Sequence, residues 1–143
     1  MNSSLSRRAF LESAAATLGV AVLAGCGSDP KAQLQAKAQG AGFTLANAQL
    51  PKAGEAVSFA FPDGRQGLLF HAMSGQTGAV SAVCTHQGCI VQWTDGNPQA
   101  PFACPCHQSK FDLQGKVLGG PAKAPLAHFQ AAQNGNDVEL KLA

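Results

Sequence analysis

From Phe43 to the end of the chain, short apolar runs alternate with clusters of turn residues. In "EAVSFAF", residues 55 to 61, apolar positions recur with period two, the repeat of a strand that buries one face. The turn "PDG" follows at 62 to 64 and "QGLLFHA" returns at 66 to 72, so the pattern predicts a hairpin. "AVSAVC" (79 to 84) predicts a strand that delivers Cys84 at its end. "IVQW" (90 to 93) and "PFAC" (101 to 104) flank the turn-rich "TDGNPQA", and "SKFDLQGKV" (109 to 117) turns at "QG". "LAHFQAA" (126 to 132) and "DVELKL" (137 to 142) are expected to pair across "QNGN". Upstream, "GSDPKAQLQAKAQGAG" (27 to 42) shows no apolar face, and the pattern predicts a flexible tether there.

Composition supports the strand reading. Charged residues make up 13% of the chain, and 16 Gly and 8 Pro among 143 residues suit a loop-rich all-β protein better than a helical bundle. The length fits one domain plus a tail and leaves no room for a large catalytic domain beside it. A net charge of +2, with no block of like charge, argues against nucleic acid as a partner.

The first 26 residues belong to another kind of sequence. A paired arginine, Arg7 and Arg8, precedes an apolar run from Ala14 to Gly25 and then Cys26. A basic start with about 12 apolar residues reads as an export signal, and it is short for a membrane span of ~20 residues. "SRRAFL" resembles the twin-arginine Tat signal, a route for proteins that fold before crossing, with Glu12 where that pattern often has lysine. "LAGC" (23 to 26) resembles a bacterial lipobox, which would make Cys26 the lipidated first residue of the mature protein. An uncleaved signal anchor with Cys26 as a plain thiol is the other reading; both tie the chain to a membrane.

Chemistry concentrates in two boxes. "CTHQGC" (84 to 89) gives Cys84-x-His86, and, with 17 residues between His86 and Cys104, "CPCHQSK" (104 to 110) gives Cys104-x-x-His107. Thiolate and neutral imidazole suit zinc or an iron–sulfur centre and do not suit calcium or magnesium, which prefer oxygen. Cys89 and Cys106 are left over. In an exported protein, thiols without a metal tend to pair, so two ligand cysteines and one disulfide would account for the four cysteines beyond Cys26. A closed Cys2His2 zinc site is the common alternative, but it gives no role to Cys89 and Cys106 and no reason for export after folding. His71 and His128 fall in expected strands outside the boxes. Trp93 and the phenylalanines read as core, Asp112 as a turn residue, and Gly119 and Gly120 as turn glycines rather than a phosphate cradle.

"CTHQGC" and "CPCHQSKFDLQGKVLGGPA" resemble the two boxes of Rieske iron–sulfur proteins, in detail over residues 84 to 126. The resemblance implies a Rieske-like antiparallel β sandwich over 43–143, with a small loop-built cluster-binding subdomain. It implies a 2Fe–2S cluster with Cys84 and Cys104 on one iron and His86 and His107 on the other through Nδ1. It further implies a disulfide between Cys89 and Cys106, and a cluster-covering loop containing Gly120, Pro121 and Pro125. Ser109 matches the position whose hydroxyl donates to a bridging sulfide. Phe111 stands where high-potential members have a tyrosine, and Gln108 where the family has glycine. Both departures point to a lower potential than in the ubiquinol-oxidising members.

The function that follows from the resemblance is electron transfer at the outer, periplasmic face of a bacterial cytoplasmic membrane. The chain would be the redox subunit of a quinol:cytochrome c reductase-type complex, working with quinol and with cytochrome b- and c-type subunits rather than as an enzyme alone. A small relay subunit beside the molybdopterin subunit of an arsenite oxidase-like enzyme is the second reading. A structural zinc or disulfide module is the third.

Overall fold

The computed structural model describes residues 33–94 and 97–143, and among them every regular element is a strand. The base consists of β1 (Leu34–Gln39), β2 (Gly42–Leu45), β3 (Glu55–Ala60), β4 (Gln66–His71) and β5 (Thr77–Ser81). The small sheet between follows as β6 (Gln92–Trp93), β7 (Phe102–Ala103), β8 (Lys110–Phe111) and β9 (Val117–Gly119), and the chain returns through β10 (His128–Asn134) and β11 (Asp137–Leu142). The base closes in the order β1-β2-β11-β10-β5-β4-β3, whereas β6-β7-β8-β9 form a separate four-stranded sheet.

The all-β class agrees with the sequence pattern, and the closure adds a detail. A single short parallel pairing, Leu34 with Phe59 and Gln35 with Ala60, seals the base into a barrel instead of leaving an open sandwich. The expected tether is corrected by the same strand. Residues 34 to 42 form β1 and the start of a hairpin with β2, in the register Ala36↔Leu45 to Gln39↔Gly42. The physical reason is that "LQAKAQ" does alternate, with alanines as its apolar members. A strand held mainly by backbone ladders on both sides needs little side-chain burial, and only Ala36 is buried. The rest of the expected tether up to 32, and the whole export signal with Cys26, lie outside the described residues.

Two cores share β4 and β5. Leu69 and Ala79 point into the barrel with Phe59, Phe61, Phe129, Leu45, Val138 and Leu140. Their neighbours Leu68, Phe70 and Val80 point the other way, under the small sheet, beside Val91, Phe102 and Phe111. Burial on both faces explains why "GLLF" reads as a continuous apolar run without alternation. In the barrel Phe59 and Phe61 meet edge-on at 4.8 Å between ring centres, and each fully buried phenylalanine contributes roughly 1.5–3 kcal/mol. Trp93 seats the small sheet on the base: it stacks on Phe70 at 5.7 Å and its Nε1–H donates to Gly54 O at 2.9 Å. Asp112 is the expected turn residue, its Oδ1 accepting the N–H groups of Gln114 (2.9 Å) and Lys116 (2.8 Å).

Candidate metal centre

Both cysteine boxes are hairpin tips of the same build. In the first, Cys84 N–H donates to Cys89 O at 2.8 Å and Gly88 N–H to Cys84 O at 2.9 Å. In the second, Cys104 N–H donates to Ser109 O at 2.8 Å and Gln108 N–H to Cys104 O at 2.9 Å. The fifth residue of each loop takes a left-handed backbone, Gly88 at φ 77° and Gln108 at φ 60°. Within this common frame the side chains are placed differently. The first loop carries histidine at its third position and cysteine at its sixth; the second carries cysteine at its third and histidine at its fourth.

A disulfide joins Cys89 to Cys106 and ties the two tips together, with 6.5 Å between Cα atoms across 17 positions of sequence. Cys84 and Cys104 lie outside the disulfide and are buried, at 2% and 1% exposure, in the core that holds Phe102 and Phe111. His107 is exposed and His86 half-buried. Their Nδ1 atoms stand 3.3 Å apart, with the rings edge to face. No Asp, Glu, Lys or Arg occurs from Cys84 to Thr94 or from Asn97 to Ser109, so the tip is uncharged apart from what it binds.

This geometry can be tested against the candidate metals. Two imidazole nitrogens bound at about 2.1 Å to one near-tetrahedral metal lie about 3.4 Å apart, close to the separation of the His86 and His107 Nδ1 atoms. A mononuclear Cys2His2 zinc site would bring the two thiols equally near. Among the described residues, no three of these four donors have ligand atoms within 4.8 Å of one another. The one trio that does is Cys89, Cys104 and Cys106, and two of those sulfurs are in the disulfide. Buried thiols on one side and paired imidazoles on the other therefore suit a two-metal centre better than one zinc ion.

A third segment covers the tips. Gly120, at φ 88°, lies so close to the second loop that a Cβ there would fall 2.5 Å from Ser109 Cα and 2.8 Å from Gln108 O. Only glycine fits such an approach. Ser109 is fully buried, and its Oγ accepts Ala122 N–H at 3.1 Å. From the first loop, Thr85 Oγ1 donates to Ala124 O at 2.6 Å, a bond that no sequence signal pointed to beyond a threonine between Cys84 and His86. Pro121 and Pro125 lie in this segment. Phe111 is fully buried opposite Phe102. His71 lies apart from the tips and its Nδ1 bonds Pro51 O at 2.9 Å; His128 also lies apart, on β10.

The model of the family described as the Rieske [2Fe-2S] domain matches residues 43–130. A cytochrome b6-f complex iron-sulfur subunit of Chlorobaculum thiosulfatiphilum is 42% identical over 69 residues, covering 48% of this chain and 37% of that protein. The same subunit from Synechococcus sp. (strain WH7803) is 50% identical over 59 residues, 41% of this chain and 32% of the relative. The matched segment thus spans about a third of these curated relatives' length. Among solved structures, the cyanobacterial plasma membrane Rieske protein PetC3 from Synechocystis PCC 6803 aligns with a TM-score of 0.52 at 36% identity, over 60% of this chain and 85% of that one.

Proposed function

The chain belongs to the Rieske [2Fe-2S] family, and from that premise we propose that it is a membrane-tethered electron carrier, the iron–sulfur subunit of a quinol-oxidising cytochrome complex. The observation that carries the proposal is the polarity of the tip: two buried thiols beneath, two imidazoles at the surface, in a stretch without charged side chains. The relatives named as cytochrome b6-f subunits support this reading over the relay subunit of a molybdenum enzyme. Family membership removes the structural zinc module.

In this proposal Cys84 and Cys104 hold one iron and His86 and His107 the other. When bound, the 2Fe–2S cluster supplies a one-electron acceptor whose potential is raised by neutral imidazole in place of thiolate. The residues do the rest. The two Nδ1 atoms stand together, and with Nδ1 given to the metal, Nε2 of the exposed His107 would accept a hydrogen bond from a quinol hydroxyl. The disulfide keeps the two loops in one rigid unit, and the Gly120–Leu126 segment excludes water from the third side. A c-type cytochrome would be the acceptor that takes the electron from this tip.

Residues 1–26 act as a Tat-type export signal, Cys26 carries the lipid anchor, and the domain works at the outer face of the cytoplasmic membrane. Two acyl chains are needed for stable attachment. Mass spectrometry of the membrane-extracted protein is expected to find an acylated N-terminal Cys26; an unmodified Met1 would replace the lipoprotein with an uncleaved anchor. The redox proposal is tested on the cluster-loaded domain mixed with duroquinol. One electron per chain, read as loss of visible absorbance, is expected, together with the rhombic electron paramagnetic resonance of a mixed-ligand centre. A chain that dithionite reduces and duroquinol does not would end the quinol reading.

A further inference from the structure

The segment from Gly120 to Leu126 is held at four points by other parts of the small domain. Gly120 rests on the Ser109 backbone, and Leu126 N–H donates to Gly115 O at 2.9 Å. Between those ends, one hydroxyl from each loop reaches the strap: Ser109 Oγ takes Ala122 N–H at 3.1 Å, and Thr85 Oγ1 gives its proton to Ala124 O at 2.6 Å. The two hydroxyls play opposite roles. Thr85 is exposed and donates; Ser109 is fully buried and accepts.

A serine hydroxyl has one proton and two lone pairs. Ala122 N–H is the hydrogen-bond partner of Ser109 Oγ among the described residues, and it occupies a lone pair, not the proton. The Ser109 proton is therefore directed away from Ala122, and the position of Ala122 restricts it to the two remaining directions about Oγ. A buried hydroxyl proton seeks an acceptor. Ala122 is two residues from Ala124, the residue that Thr85 holds.

We propose that Thr85 is a positioning residue for the metal centre: by holding Ala124 it fixes Ala122, and Ala122 orients the Ser109 hydroxyl toward the cluster. The inference rests on the reading that Cys84, His86, Cys104 and His107 hold the cluster. Thr85 lies in the first loop between Cys84 and His86, and its hydroxyl bonds the strap at Ala124; in this proposal its effect on the potential passes through the strap. Its effect on the potential is then wholly contained in the effect of Ser109.

The test compares Thr85→Val, Thr85→Ser, Ser109→Ala and the double variant Thr85→Val/Ser109→Ala. Hydrogen-exchange mass spectrometry of the peptide covering 120–126 is expected to show exchange about tenfold faster or more in Thr85→Val, and near wild type in Thr85→Ser. Voltammetry of the loaded domain is expected to place Thr85→Val below wild type, Ser109→Ala lower still, and the double variant level with Ser109→Ala. Additive shifts, or an unchanged potential in Thr85→Val beside faster exchange, would overturn the coupling through Ser109. Unchanged exchange in Thr85→Val would overturn the strap itself. A protein lacking the mixed-ligand spectrum would defeat the cluster reading and the proposed route to the potential, with the exchange result still deciding the role of Thr85 in holding the strap.

Discussion

Gln108 donates its backbone N–H to Cys104 O at 2.9 Å, closing the second loop with the bond that Gly88 makes to Cys84 in the first. The bond demands a left-handed residue, and Gln108 supplies it at φ 60° against the penalty that a Cβ carries there. Gln108→Gly is expected to raise stability by about 0.5–1 kcal/mol, the strain relieved less the added freedom of the unfolded chain. Urea midpoints measure it. A less stable variant would mean that the glutamine side chain makes contacts worth more than the strain.

Gly120→Ala should do the reverse. The new Cβ would meet backbone atoms of Ser109 and Gln108 at 2.5–2.8 Å, in a conformation alanine rarely adopts. A loss of about 2 kcal/mol or more is expected, with the strap displaced and the cluster shed faster in the presence of a chelator.

Cys89→Ser removes the tie between the tips. For a loop near 17 residues the chain-entropy treatment gives a loss of about 3 kcal/mol. Visible absorbance of the loaded protein under denaturant titration reads stability and cluster retention together, and both are expected to fall. Unchanged retention would separate the disulfide from the metal centre.

Ser109 and Phe111 are expected to shift the potential in opposite directions. Ser109→Ala removes a donor and lowers it; Phe111→Tyr adds a hydroxyl within the core that contains Cys84 and Cys104 and raises it. A hydrogen bond worth ~1 kcal/mol more to the reduced state corresponds to about 40 mV for one electron. Ser109→Ala also strands the buried Ala122 N–H, so its stability should drop by about 1–3 kcal/mol. Protein-film voltammetry with a parallel melt distinguishes the two effects.

His128 supplies a pH dependence unrelated to the metal. Its Nε2 is buried without a partner among the described residues, and burial lowers its pKa below the usual histidine value, with Asp112 opposing. The unfolded chain therefore binds this proton more readily than the folded one. Stability from this group is fully present above about pH 6.5 and declines as pH falls from there through the lowered folded pKa. Relative to wild type, His128→Phe should lose less stability between neutral and mildly acidic pH. Parallel denaturation curves for the two proteins would expose a missing difference.

Much of the site was legible because its chemistry is local in sequence. Cys84, His86, Cys104 and His107 stand in two short boxes, and the donor types alone narrowed the metal to zinc or iron–sulfur. The paired Cys89 and Cys106, and the glycine and prolines of the covering segment, came from the resemblance; the structure contains that disulfide, while the close approach of Gly120 to Ser109 had no sequence signal. The hairpins from residue 55 onward were legible for a related reason: alternation and turn residues act over a few positions. β1 was not, since "LQAKAQ" owes its strand state to partners at 42–45 and 59–60.

What the sequence determined by itself was which residue types were at hand and how each short segment prefers to run. Tertiary structure decided how remote pieces meet: the closure of the barrel through Leu34 and Phe59, the equivalence of the two loops, and the bond from Thr85 to Ala124 across 39 positions. The physical reason is range. Periodicity and turn propensity are set by near neighbours along the chain, whereas a hydroxyl finds a carbonyl only after packing has brought the two segments together. Thr85 carries no mark in its own surroundings that it will hold the strap.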